Sequence, residues 1–174
     1  MTMTLTSHQF LRELESLEGV EHAVTEFENA AHSVGEARRF ARDRLAAWGF
    51  GRKHALTDKV VLVLSELATN AVLHARTRPE GENECFGVVL AYKEDFGLGV
   101  LVADNTCSLP AIVHPPSATA EHGRGLVLVE TVADGWAVTR RRTEDRHCGK
   151  GVWGFFRVPE PSGLPARHGV SEGC

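Results

Sequence analysis

The chain carries no C-x-x-C pair: its four cysteines, Cys85, Cys107, Cys148 and Cys174, are scattered along 174 residues. That spacing excludes a zinc knuckle and a disulfide scaffold. The nine histidines show no H-E-x-x-H or comparable ligand spacing, which speaks against a transition-metal centre built by protein alone. No apolar run approaches the ~18 residues of a membrane span, and no basic, apolar leader opens the sequence. Excess positive charge is missing too. A formal net charge of −4 argues against broad binding to nucleic acid or anionic lipid. The reading is a cytoplasmic protein with no membrane and no direct nucleic-acid contact.

What is present is an ordinary globular composition, 43% hydrophobic and 24% charged. The length suits one domain with a single core. Residues 1–20 are poor in apolar pattern and are expected to be a flexible extension, with a loose helical turn around Phe10–Leu14. His22–Phe27 alternates as a first strand. Gly35–Trp48 repeats apolar residues at helical spacing and stops at Gly49, its arginines forming a solvated outer face. Thr57 or Asp58 caps a second helix reaching Ala75. The polar stretch Arg76–Glu84, with Pro79 and Gly81, is a loop.

Two strands follow, Cys85–Tyr92 and Leu98–Asp104, joined by a turn over Lys93–Gly97. Asn105–His122 holds three prolines and no clear periodicity, as functional lids often do. Leu126–Ala133 reads as a helix ending at Gly135, and Trp136–Arg142 and Val152–Val158 as closing strands around a polar turn. Arg140–Arg142 fits the charged edge of a sheet. Pro159–Cys174, rich in Pro, Gly and Ser, is expected to be a disordered tail. The order β-α-α-β-β-lid-α-β-β predicts an α+β two-layer sandwich over residues 21–158, a mixed, mostly antiparallel sheet with helices on one face.

Three features carry chemistry. The first is the run Ser65-Glu-Leu-Ala-Thr-Asn-Ala-Val-Leu-His-Ala75, in which Glu66, Asn70 and His74 are four residues apart. Each such step turns a helical side chain by only about 40°. An acid, an amide and an imidazole therefore share one stripe of a nearly apolar helix, which is costly unless the stripe faces a wet or ligand-filled cleft. A histidine at a helix end also serves simply as a solvated terminus.

The second is His122-Gly-Arg-Gly-Leu126 before a helix. Glycines admit a bulky anion close to the backbone, the N–H groups of the helix start can bind it, and Arg124 can add a charge-assisted contact. Taken alone, G-x-G more often marks a tight helix entry. The third is Asp104-Asn105 at the end of a buried strand, where a carboxylate can accept a hydrogen bond from a base such as adenine, or where the pair simply starts a turn. Taken together, they describe a magnesium–nucleotide site. Glu66 orients or deprotonates an attacking hydroxyl, and Asn70 offers magnesium a hard oxygen. Asp104 holds the base, and the Gly123–Gly125 turn closes over phosphates.

Glu66-Leu-Ala-Thr-Asn70-Ala-Val-Leu-His74 resembles the N box of the GHKL superfamily, which includes gyrase and the histidine kinases. Asp104 matches the start of its G1 box, and Gly123-Arg-Gly125-Leu126 its G2 box. Within the superfamily the chain is most similar to the small anti-sigma-factor serine kinases and their actinobacterial relatives, from about Val24 to Val158. The resemblance implies a Bergerat fold binding ATP and Mg²⁺ beneath a lid. Glu66 would be the general base and Asn70 the magnesium ligand. Asp104 and Asn105 would lie on the adenine side, with Gly123, Arg124, Gly125 and Leu126 on the phosphate side and His74 closing the N box.

One departure stands out: the family's G1 box is usually D-x-G-x-G, whereas here Asp104-Asn-Thr-Cys-Ser108 has neither glycine. Two functions follow from the resemblance. One is a serine/threonine kinase that phosphorylates a STAS-type anti-anti-sigma factor and captures a sigma factor. The other is a non-catalytic, ATP-dependent module that sequesters a sigma factor or similar regulator. A homodimer is compatible with either. A sensor histidine kinase fits poorly, because no convincing dimerisation helix pair with an acceptor histidine precedes Glu66.

Overall fold

A computed structural model describes residues 18–74, 84–106, 108, 124–142 and 148–158. The residues of the expected N-terminal extension up to 17, most of the 76–84 loop and of the 105–122 lid, Gly123, the polar turn and the 159–174 tail lie outside the described residues. The elements run β1 (Val20–Glu28), α1 (Ser33–Ala47), α2 (Ala55–His74), β2 (Cys85–Lys93), β3 (Gly97–Asp104), α3 (Arg124–Val132), β4 (Gly135–Arg142) and β5 (Cys148–Arg157). The strands form one sheet in the order β1-β2-β3-β5-β4, and its four pairings are all antiparallel. This is the expected α+β sandwich.

Alternation along the strands builds the core. Phe86, Val88 and Leu90 of β2, Leu98, Val100 and Val102 of β3, and Val152 and Phe156 of β5 share one cluster with the helices. On α1 the residues buried are Ser33, Ala37, Ala41 and Leu45, each four apart and mostly small, so the helix lies close. The α2 helix lies between α1 and α3 and above the sheet, which is why it buries nine residues where a surface helix would bury one stripe. Gly154 makes room for it: a Cβ there would stand 2.8 Å from Val63 Cγ1. The opposite face of the sheet carries a smaller apolar group in which the Trp153 and Phe155 rings stack, centroids 6.0 Å apart.

Helix boundaries differ from the sequence reading in instructive ways. The α1 helix ends as expected before Gly49, whose φ of 90° is the left-handed conformation that glycine tolerates. Gly49 N–H bonds to Ala46 O and Phe50 N–H to Leu45 O, a Schellman closure sealed by buried Leu45 and Phe50. The α2 helix starts at Ala55, so neither Thr57 nor Asp58 caps it. His54 takes that role, with Nδ1 accepting the Leu56 N–H at 3.2 Å. The buried Thr57 hydroxyl instead lies 3.2 Å from the carbonyls of both Phe50 and Gly51. β1 and β5 also run longer than their apolar cores, since ladder pairing continues through Val20 and through Cys148. Arg140 is exposed on β4, an edge strand, as the charged-edge reading requires.

Candidate functional site

Burial of α2 on its other sides leaves the stripe of Glu66 and Asn70 half-buried rather than solvated. The first turn of α3 packs against this stripe. An ideal Cβ at Gly125 would stand 2.9 Å from Glu66 Oε2 and 3.5 Å from both Nδ2 and Oδ1 of Asn70. Any side chain at 125 would therefore displace the carboxylate. Glycine is demanded here by close approach rather than by a turn: Gly125 is helical, and the positive-φ glycines among the described residues are Gly19 and Gly49.

The G-x-G segment thus does not precede the helix entirely, because Arg124 and Gly125 are its first two residues. Leu126 and Val129 are buried in the main core and hold α3 to α2. The Leu126 side chain is committed to packing, so only its backbone is available to a ligand. Gly123 and the Arg124 side chain lie outside the described residues. The first-turn N–H groups of α3, which have no intrahelical partner, and the positive end of its dipole stand beside a carboxylate and an amide. His74 is exposed in the last turn of α2.

The Asn70 amide oxygen, beside the Glu66 carboxylate, is a donor that fits magnesium. Glu66 and Asn70 present oxygen atoms toward the same glycine, and magnesium takes one or two protein oxygens with phosphate and water completing its shell.

Asp104 ends β3, and its carboxylate is already engaged. Oδ1 accepts the Thr106 N–H and the Thr106 hydroxyl, both at 2.9 Å. Lys150 Nζ lies 3.0 Å from Oδ1 and 2.9 Å from Oδ2, both side chains at least nine-tenths buried. The same ammonium donates to Thr106 Oγ1. Thr106, buried in turn, stands where the G1 pattern has its first glycine. Its hydroxyl and backbone replace loop freedom with a fixed bond to Asp104. Asn105 beside it is exposed. A Cβ at Gly149 would meet Asp104 O at 2.6 Å, so β5 runs tight beside this strand end.

Lys150 is a site residue that sequence reading missed. A signal existed: in Gly149-Lys-Gly-Val-Trp153 the period of two puts Lys150 on the inward face with Val152, Gly154 and Phe156. A lysine in that position needs an acid.

The family described as histidine kinase-like ATPase domain matches residues 27–149, well over half of the sequence. The chain belongs to that family, the GHKL group, which makes it a nucleotide-binding domain of the ATP-binding kind. Among solved structures, the crystal structure of the SiaB–SiaC complex from Pseudomonas aeruginosa matches with a TM-score of 0.55 at 16% identity, over 88% of this chain and 100% of that one. At that identity the likeness is one of fold. No curated protein matches. No helix among the described residues is long and apolar enough to cross a membrane.

Proposed function

We propose that the protein is an ATP-dependent serine/threonine kinase acting on a STAS-type anti-anti-sigma factor, and that it captures a sigma factor when released from it. The observation that carries this reading is the close approach of Gly125 to Glu66 and Asn70, so close that a Cβ there would meet both side chains. It supports the reading because a carboxylate able to act as base and an amide oxygen able to hold magnesium then stand beside a helix start of the kind that binds phosphate. Magnesium, held by the Asn70 oxygen, would neutralise charge on the phosphates. Glu66 takes or orients the proton of the attacking serine hydroxyl, whose oxygen bonds to the γ-phosphorus as ADP leaves. The α3 N–H groups hold the phosphates. The SiaB–SiaC match is to a protein complex, in keeping with a protein partner.

A second reading is a non-catalytic module in which ATP only shapes the partner-binding surface. The occupied Asp104 carboxylate favours it, since Lys150 and Thr106 already satisfy much of what a base would use. Incubation with labelled ATP and a STAS-domain protein separates the two. Label reaching a serine of the partner and vanishing in Glu66→Gln supports the kinase; ATP bound by both proteins without transfer supports the module. Calorimetry with ATP and Mg²⁺ tests the site itself, because equal heats from wild type and Asn70→Ala would remove Asn70 from it.

A further inference from the structure

Two hollows adjoin along α1, sharing Gly35 and Arg38, and the smaller of them also borders α2. The larger, about 540 Å³, is walled by Arg38, Arg39, Arg42 and Arg52 with Glu36 and Asp43 among them. The smaller, about 290 Å³, is apolar, with Ala31, Val34, Val72 and Leu73 around it and Thr69 at its side. Among the described residues none of the four guanidinium groups has an ion-pair partner, although two carboxylates stand in the same wall. The chain as a whole is acidic at −4, so four arginines against two acids make this a local reversal of charge. Leu73 is 65% exposed beside it, on a helix whose other large aliphatic residues are covered apart from Leu62.

We infer that this double groove is the docking site for an acidic, amphipathic segment of a partner protein, its carboxylates on the arginines and an apolar side chain in the hollow by Leu73. A free phosphate or sugar phosphate would gain nothing from the apolar half. Single exposed ion pairs are individually weak, and arginine forks suit carboxylates. Several of them arrayed beside an apolar anchor give the combination that makes an interface selective. One wall of the smaller hollow is also the flank of the site helix. Thr69 and Leu73 alternate with Asn70 and His74 on α2, so a segment seated here lies one helix face from the nucleotide residues. The inference deepens the proposed function by giving its protein partner a surface, and it is read without nucleotide, so it can fail separately.

The test is fluorescence anisotropy of the full chain with three labelled probes: a peptide of Glu-Glu-Leu repeats, an all-Glu peptide of the same length, and a single-stranded oligonucleotide. The Glu-Glu-Leu peptide should bind best and lose affinity as salt rises. Arg38→Glu/Arg42→Glu should weaken it at least about tenfold, and Leu73→Ser should weaken it with no change toward the all-Glu peptide. ATP affinity should be unchanged in these variants, which shows that they are folded. Equal binding of the all-Glu peptide or the oligonucleotide would reduce the groove to a general polyanion surface and overturn the inference. So would peptide binding that survives the charge reversal.

Discussion

Lys150 and Asp104 are partners twice over: their Cα atoms face each other in the β3–β5 ladder, and their side chains form an ion pair at 2.9 Å. The pair ties the end of the strand that leads into the expected lid to the last strand of the sheet. Thr106 closes the network, since it both receives from Lys150 and donates to Asp104. In this buried setting the pair's worth lies in mutual satisfaction, and removing one member exposes the desolvation cost of the other.

Lys150→Met is therefore expected to destabilise the protein by about 3 kcal/mol. Adding Asp104→Leu should recover part of that loss, because the stranded carboxylate is then gone. Urea unfolding of the single and double variants reads both numbers. Additive losses would mean that the two side chains are not coupled.

Gly125→Ala separates fold from function. The added methyl meets the far end of the flexible Glu66 side chain, which can swing aside, and alanine is the better helix former. Stability should stay within about 1 kcal/mol of wild type. ATP affinity should fall about tenfold as the carboxylate leaves its place beside Asn70. Retained affinity with normal stability would detach Glu66 from the nucleotide site.

Gly154→Ala acts on the packing that holds the site helix. Here the Cβ meets Val63 Cγ1 at 2.8 Å and Val100 Cγ1 at 3.4 Å, both in the core with no route to solvent. Overpacking of this kind costs about 1–3 kcal/mol. Val63→Ala in the same chain should relieve the clash, so the double variant should lose less than the two single losses combined. Thermal unfolding of the four proteins measures the difference.

Tyr92 offers a pH signal far from the site. Its phenol is pushed above the usual value, first by burial and then by the negative charges of Glu94, Asp95 and Glu21. Because the folded state holds this proton more tightly, the associated stability is fully present below about pH 10 and is lost as pH rises through the raised value. Tyr92→Phe should flatten that decline in alkaline urea titrations. Tyr92 is the one tyrosine of the chain, so tyrosinate absorbance reports it directly. A midpoint at or below the ordinary phenol value would contradict the burial seen around the Trp48 and Phe50 rings.

Patterns with a short period were enough to place most elements and to put Glu66 and Asn70 on one stripe. Glu66 and Asn70 are four apart in an apolar helix, and no tertiary knowledge was needed to see them on one edge. Element ends were less legible because competing partners come from elsewhere. Thr57 has the chemistry of a cap, yet its hydroxyl meets the carbonyls of Phe50 and Gly51, and His54 takes the terminal N–H. Gly125 looked like a turn residue, and proved to be a helical one kept small by α2.

What the linear chain determined by itself is the alternation, the helical spacing and the order of motifs, all of which arise from local geometry and the burial of apolar side chains. Only the folded sheet decided that Lys150 meets Asp104, 46 positions apart in sequence. Helix packing decided that Arg38 of α1 lines one hollow with Leu73 of α2. Such contacts depend on strand register and helix packing, and a charged side chain finds its buried partner only after the backbone has brought two distant segments within ion-pair reach.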